Sequence, residues 1–305
     1  MARFSFFFSV VALYCGLNAV VQARPSSSSR SLADKTINYW FSFGDSYTDT
    51  GFNPTGPLPN EANPLGNPAF PGKTNTGGPN WVGWVTGTYN TSTLLTYNYA
   101  YGGATIDRTL VAPGNPSVRV LTDQVNEFLD GAAKSPKVWT SDNALFSIWI
   151  GINDIGGTWN LGGDRNAFND KLLDAYFALV QKLYDAGARN FLFVNVPPVD
   201  RTPMILRNTP AQQATERDII NSYNSKLADR VTAFVSNNNV GHGIYDSHSQ
   251  FTQILNNPTQ YGFKDATSYG SGNNFFWGND YHPSSKAHQL FGQTVGKDIL
   301  GGTGW

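Results

Sequence analysis

The fold of this chain is decided by the stretch Phe41-Ser42-Phe43-Gly44-Asp45-Ser46-Tyr47-Thr48-Asp49-Thr50-Gly51. Its first part belongs to an apolar, aromatic run, residues 39–43, that has the composition of a buried strand. The run ends abruptly at Gly44-Asp45-Ser46, which leaves a hydroxyl group at the carboxyl end of the strand. Open α/β sheets bind their ligands at that edge, so Ser46 is a candidate nucleophile. A serine alone is a poor nucleophile, and the hypothesis therefore requires a histidine base and oxyanion donors elsewhere in the chain.

Strand-like and helix-like segments alternate along the rest of the sequence. Short apolar runs predict buried strands at residues 94–100, 144–150, 191–196 and 244–245. Apolar residues at three- and four-residue spacing predict helices at 121–132, 168–186, 215–236 and 283–300. Stretches rich in Gly and Asn predict long loops at 53–80 and 256–280. This alternation predicts a single α/β domain whose parallel sheet carries helices on both faces, joined by right-handed crossovers.

Residues 1–23 have the features of a secretory signal peptide. Arg3 is positively charged, residues 4–21 are almost uninterruptedly apolar, and Val21-Gln22-Ala23 fits a small-residue cleavage site. The alternative is a membrane anchor, but a Ser-rich polar segment follows at once and no basic stop-transfer cluster flanks the run. We therefore expect a secreted, extracellular protein with a mobile lead-in at residues 24–36 and one folded domain over residues 37–305.

The composition excludes several classes of protein. The only cysteine, Cys15, lies in the predicted signal, so the mature chain has no disulfide, zinc-thiolate site or cysteine nucleophile. A net charge of −1 with 14% charged residues gives no electrostatic footprint for nucleic acid or an anionic membrane. Neither GxGxxG nor GxxxxGK[ST] occurs, so no nucleotide cofactor is implied.

Two further strand ends carry groups that suit an oxyanion hole. Gly102-Gly103 follows the second predicted strand and Asn153 follows the third. A glycine lets a backbone N–H approach a ligand closely, and an asparagine amide adds a fixed donor. Each motif alone is also typical of a plain turn, but their shared edge favours a hole formed by Ser46 N–H, Gly103 N–H and Asn153. We interpret Asp45 and Asp154 as holding these loops by hydrogen bonds.

His282 is the candidate base. Pro283 suits the first turn of a helix, which places His282 at or just before the amino end of the closing helix. The other histidines, His242, His248 and His288, show no metal-ligand spacing, and no metal site is expected. A base must be neutral, so the rate is expected to rise with pH around the reference imidazole pKa of about 6.5.

Four ordered blocks resemble the GDSL, or SGNH, esterase superfamily over nearly the whole mature chain. They are Gly44-Asp45-Ser46, Gly103, Gly151-Ile152-Asn153-Asp154 and His282-Pro283. The resemblance implies a flavodoxin-like three-layer α/β/α fold with Ser46 as nucleophile, Gly103 and Asn153 as oxyanion donors and His282 as base. Residues 101–105 and 276–277 are similar to secreted fungal acetylesterases of carbohydrate esterase family sixteen, which act on acetylated xylo-oligosaccharides. The resemblance therefore implies an enzyme that needs no cofactor and acts on small-molecule or oligosaccharide esters. We expect a monomer.

One position departs from the superfamily pattern. The acid of the triad stands three residues before the histidine, where this chain has Asn279, and Asp280 follows one residue later. Either Asp280 acts as the acid through a shifted turn, or an amide or backbone carbonyl orients a Ser-His pair. We expect Asp280 to take the role.

Two other functions remain as alternatives. A lipase for longer acyl chains is disfavoured because the loops contain no apolar amphipathic lid helix. A non-catalytic carbohydrate-binding relative that lost turnover through Asn279 would bind sugar without hydrolysis. The sequence Asn90-Thr91-Ser92 is also a candidate N-glycosylation acceptor.

Overall fold

The computed structural model describes residues 36–305. The predicted signal peptide and all but the last residue of the lead-in lie outside this range. Five parallel strands form one sheet in the order β2-β1-β3-β4-β5, which is the flavodoxin-type order. The strands are β1 (Ile37–Gly44), β2 (Thr93–Asn98), β3 (Ala144–Trp149), β4 (Asn190–Val194) and β5 (Gly241–Tyr245).

Within the described residues, seven α-helices connect and cover these strands. They are α1 (Trp81–Trp84), α2 (Leu121–Asp130), α3 (Ile152–Gly156), α4 (Arg165–Asp185), α5 (Pro210–Asn238), α6 (Ser247–Asn256) and α7 (Ser285–Gln293). Short π-helical segments continue α1 and α7, at Val85–Tyr89 and Thr294–Ile299. None of these helices is long and apolar enough to cross a membrane.

Two neighbouring residues of β1 show that the sheet is covered on both faces. Trp40 packs edge-on against Trp81 of α1, with ring centroids 5.2 Å apart. Phe41, the next residue, packs against Phe128 of α2 at 4.9 Å. Successive strand residues point to opposite faces, so α1 and α2 lie on opposite sides of the sheet. The predicted three-layer α/β/α architecture is confirmed.

Helix boundaries differ from the predictions where capping residues decide them. Helix α5 begins at Pro210, before the predicted residue 215, because Thr209 and Gln212 form a capping box around that proline. Helix α6 was not predicted. The closing helix begins at Ser285, where the Ser284 hydroxyl accepts the Ala287 N–H. His282 therefore lies just before the amino end of α7, as predicted, whereas Pro283 precedes the first turn instead of beginning it.

Candidate active site

The strand order brings together the turns that follow β1, β2 and β3, because β2 and β3 are the two neighbours of β1. The turn after β1 is tight: a Cβ at Gly44 would lie 2.5 Å from the backbone oxygen of Trp149. Gln124 of α2 clamps this glycine, since its Oε1 accepts the Gly44 N–H at 3.0 Å and its Nε2 donates to the Gly44 carbonyl at 2.8 Å. Gln124 was not among the residues predicted from the sequence. Its signal is a polar residue on the apolar face of α2, three residues after Leu121.

Ser46 and His282 form a hydrogen-bonded pair in the structure. The Oγ of Ser46 lies 2.7 Å from Nε2 of His282. On the other side of the ring, Nδ1 lies 3.1 Å from Oδ1 of Asn279. The backbone N–H groups of Tyr281 and His282 also donate to this oxygen, at 2.8 and 2.7 Å. Two donors thus hold the amide oxygen toward the ring, so Nδ1 carries the hydrogen and Nε2 is free to accept the proton of Ser46.

The prediction that Asp280 acts as the acid beside His282 is wrong in this structure. Its carboxylate pairs with the guanidinium of Arg207 at 2.9 Å, and its carbonyl accepts the Met204 N–H at 2.8 Å. The physical reason is the turn itself, in which the backbone N–H groups of Tyr281 and His282 close on the side chain of Asn279. Asp280 therefore acts on His282 through the field of its charge and not by a hydrogen bond.

The environment keeps His282 neutral. Burial lowers the pKa of His282 to about 4, and the negative charge of Asp280 raises it only in part. The imidazole can therefore act as a base over the whole range from pH 5 to 8. The rise in rate expected near pH 6.5 from the sequence moves to about pH 4.

The three predicted oxyanion donors lie around the loop that follows β2. Among the described residues, neither Ser46 N–H nor Gly103 N–H donates to a protein acceptor. Gly103 has a φ of 79°, a conformation that favours glycine. The Asn153 amide donates to the carbonyl of Ala104 at 2.8 Å, which leaves its second N–H for a ligand.

Buried carboxylates fix the positions of these loops. Asp45 accepts the Tyr47 N–H at 3.0 Å and Asp154 accepts the Ile106 N–H at 3.0 Å, which confirms their predicted hydrogen-bonding role. Burial raises the pKa of Asp45 to about 8 and that of Asp154 to about 7. Asp49, which the sequence analysis did not single out, accepts the N–H groups of Gly51 at 2.6 Å and of Gly102 at 2.8 Å. It ties the loop of Ser46 to the loop of Gly103.

Within the described residues, no other histidine is hydrogen-bonded to Ser46 or His282. His288 is fully buried on α7, and its Nδ1 accepts the Trp81 N–H at 3.2 Å. Within residues 36–305, no three His, Cys, Asp or Glu side chains are grouped so that they could hold a metal ion.

A serine hydroxyl against a neutral imidazole, at the carboxyl edge of a parallel sheet, has the geometry of a serine hydrolase. Comparison with known proteins agrees, because the model of the GDSL-like lipase/acylhydrolase family matches residues 41–295. The chain therefore belongs to the GDSL-like lipase/acylhydrolase family.

Two of the proteins that the chain resembles in sequence are acetylesterases. Over 267 residues the chain is 45% identical to an acetylesterase from Thermothelomyces thermophilus, covering 86% of this chain and 88% of that protein. A second acetylesterase, from Hypocrea jecorina, is 26% identical over 74% of this chain and 73% of that protein. A solved acetylxylan esterase mutant from Geobacillus stearothermophilus aligns with 85% of this chain and 91% of that chain, at 15% identity and a TM-score of 0.47. The family and the close acetylesterase relative identify a carboxylic ester hydrolase.

Proposed function

We propose that this protein is a secreted serine esterase that removes short acyl groups, acetyl in particular, from hemicellulose-derived oligosaccharides. The observation that carries the proposal is the 2.7 Å contact between Ser46 Oγ and His282 Nε2. The two acetylesterase relatives support the choice of acyl group. Secretion rests on the signal-like residues 1–23 and the hemicellulose substrate on the resemblance to fungal carbohydrate esterases.

The proposed reaction proceeds through an acyl-enzyme. His282 Nε2 takes the proton of Ser46 as Oγ attacks the acyl carbonyl, and the oxyanion accepts hydrogen bonds from Ser46 N–H, Gly103 N–H and Asn153. The departing alcohol takes the proton from His282. A water molecule then gives a proton to Nε2 and attacks the acyl-enzyme, which releases the acid and returns the proton to Ser46. Throughout, Nδ1–H donates a hydrogen bond to Asn279 Oδ1, which keeps the ring oriented.

The candidate glycosylation site lies away from this chemistry in sequence and precedes β2. Asn90 is half-buried, and its side-chain amide donates to the Ser92 carbonyl at 2.8 Å. A glycan at Asn90 is a further part of the proposal, tested by a shift in mass after endoglycosidase treatment of the secreted protein.

The direct test is release of p-nitrophenol from p-nitrophenyl acetate by the chain from Arg24 and by an identically purified Ser46→Ala variant. Loss of the nucleophile is expected to reduce kcat by about 10³- to 10⁶-fold. Equal rates in both proteins would contradict the proposed mechanism. A series of acyl esters of increasing length extends the test, because a maximum at long chains would indicate a lipase instead. Binding of xylo-oligosaccharides with no turnover of any ester would indicate a carbohydrate-binding relative.

A further inference from the structure

One loop is hydrogen-bonded both to the segment that follows the nucleophile and to the segment that follows the base. This rim segment, residues 73–80, is fixed at both ends. Near Ser46, the Lys73 N–H donates to the Thr50 carbonyl at 2.9 Å. Near His282, Ser285 donates its N–H to Thr76 at 2.9 Å and its hydroxyl to Pro79 at 2.7 Å. The backbone between these anchors is therefore positioned before any ligand binds.

Asn75 is an exposed residue of the rim segment, and it lies across Gly102 from the nucleophile. A Cβ built on Gly102 would lie 3.9 Å from Asn75 Nδ2 and 3.9 Å from Ser46 Cβ, so the two residues flank the same gap. Among the described residues, no hydrogen bond involves the amide of Asn75. Its two donors and its acceptor are thus free for a ligand.

The glycine at position 102 leaves this gap open without being required by the backbone. Gly102 does not have a left-handed φ, in contrast to Gly103. A Cβ would meet its nearest neighbour, Asp49 Oδ2, at 3.5 Å, which is ordinary van der Waals contact. Neither strain nor a clash therefore requires glycine here, and the missing side chain leaves room for a ligand beside Ser46.

We propose that the gap between Ser46, Gly102 and Asn75 is a binding subsite for the hydroxyl-bearing alcohol part of the ester, with the Asn75 amide hydrogen-bonding to a sugar hydroxyl. The inference rests on the proposed function and adds the residues that recognise its substrate. The lining is polar and its Asn75 side is exposed, which suits hydroxyl groups and does not suit the methyl group of an acetyl ester.

The test compares two acetate esters that differ in the alcohol. Ratios of kcat/KM for acetylated xylobiose over ethyl acetate are measured for the wild type, Asn75→Leu and Gly102→Ala, so that any general effect on the catalytic groups cancels. The matched control is Asn237→Leu. Asn237 is exposed near the C-terminal end of α5, and α5 is followed by β5, the edge strand on the other side of the sheet from β2. Asn75→Leu is expected to lower the ratio by about three- to tenfold, the loss of one hydrogen bond between uncharged groups. Gly102→Ala is expected to lower it as well.

A ratio in Asn75→Leu that equals that of Asn237→Leu would overturn the subsite. A titration with unacetylated xylobiose gives a second readout that needs no turnover. Weaker binding by Asn75→Leu than by Asn237→Leu supports the subsite even where ester hydrolysis fails, so the subsite and the proposed function are tested separately. Equal binding by the two variants counts against the subsite.

Discussion

Replacing Asn279 with Asp tests how this site orients and charges its base. The change keeps the shape of the side chain, and the backbone N–H groups of Tyr281 and His282 still find an acceptor. It puts a negative charge where a neutral oxygen now lies 3.1 Å from Nδ1 of His282. An opposite charge at such a distance raises the pKa of a histidine by about 1 to 3 units. The acidic limb of the pH profile should therefore move from about pH 4 to about pH 5–7.

The effect on rate follows from the same charge. One pKa unit corresponds to about 1.4 kcal/mol of stabilisation of the imidazolium, which forms as Ser46 loses its proton. Because the proton is only about half transferred in the transition state, about 1 to 3 pKa units should raise kcat at pH 8 by about 3- to 30-fold. The Asp-to-Asn change in a serine protease costs about 10⁴-fold, largely through the wrong tautomer. In this chain the anchored oxygen of Asn279 already selects the correct tautomer, so the gain on restoring the charge should be smaller.

The assay is kcat for p-nitrophenyl acetate between pH 3.5 and 9 for wild type, Asn279→Asp and Asp280→Asn. Asp280→Asn is the matched control, because this carboxylate pairs with Arg207 and lies outside the hydrogen-bonded triad. We expect the control to change kcat only a few-fold and to move the acidic limb slightly lower. A loss of about 10³-fold or more in Asp280→Asn, or no gain in Asn279→Asp, would refute the assignment of Asn279 as the orienting group.

Three further predictions test the site and its surroundings. Wild-type kcat should be nearly constant from pH 5 to 8 and fall only near pH 4; a midpoint near 6.5 would show that burial of His282 does not lower its pKa. Asn153→Ala should lower kcat by about 10²- to 10³-fold with little change in KM. A rise in KM of the same size with an unchanged kcat would indicate that Asn153 binds the substrate instead. Glu216 is fully buried, and both its oxygens lack a hydrogen-bond partner among the described residues. Burial raises its pKa from 4.5 to about 7, so the native state favours the protonated acid and stability is lost as the pH rises from about 4.5 to 7. Urea denaturation should show that Glu216→Gln stabilises the fold by about 2–3 kcal/mol more at pH 8 than at pH 5, whereas a pH-independent effect would exclude a titrating Glu216.

The sheet and the order of the catalytic blocks could be predicted because their signals are local. Each strand is an apolar run that stops at a turn residue, and the carboxyl ends of parallel strands share one edge. Helix α6 gave a weaker signal, since its first turn is Ser247-His248-Ser249-Gln250 and its buried apolar residues begin only at Phe251. Its N-cap, Asp246, accepts the Ser249 N–H, but a single cap is also common in loops.

The choice between Asn279 and Asp280 could not be made from the sequence, because it depends on the direction of a turn. Charge alone favours Asp280, which is the better partner for an imidazolium. In the folded chain, the N–H groups of Tyr281 and His282 converge on the side chain of residue 279, and Arg207 holds Asp280 at the surface. Arg207 lies 73 positions away in sequence, so nothing near His282 indicates this contact.

The neutral amide of Asn279 leaves the pKa of His282 low, which an aspartate at this position would not do. A base with a lower pKa is a weaker proton acceptor, but it stays unprotonated at lower pH. With Asn279, His282 keeps its base function down to about pH 4, at the expense of base strength at neutral pH. Asn279→Asp reverses both effects, so the two pH profiles should cross: the variant should be faster above about pH 6, and the wild type should be faster below about pH 5. Two profiles that differ by a constant factor at every pH would mean that residue 279 orients His282 without controlling its proton affinity.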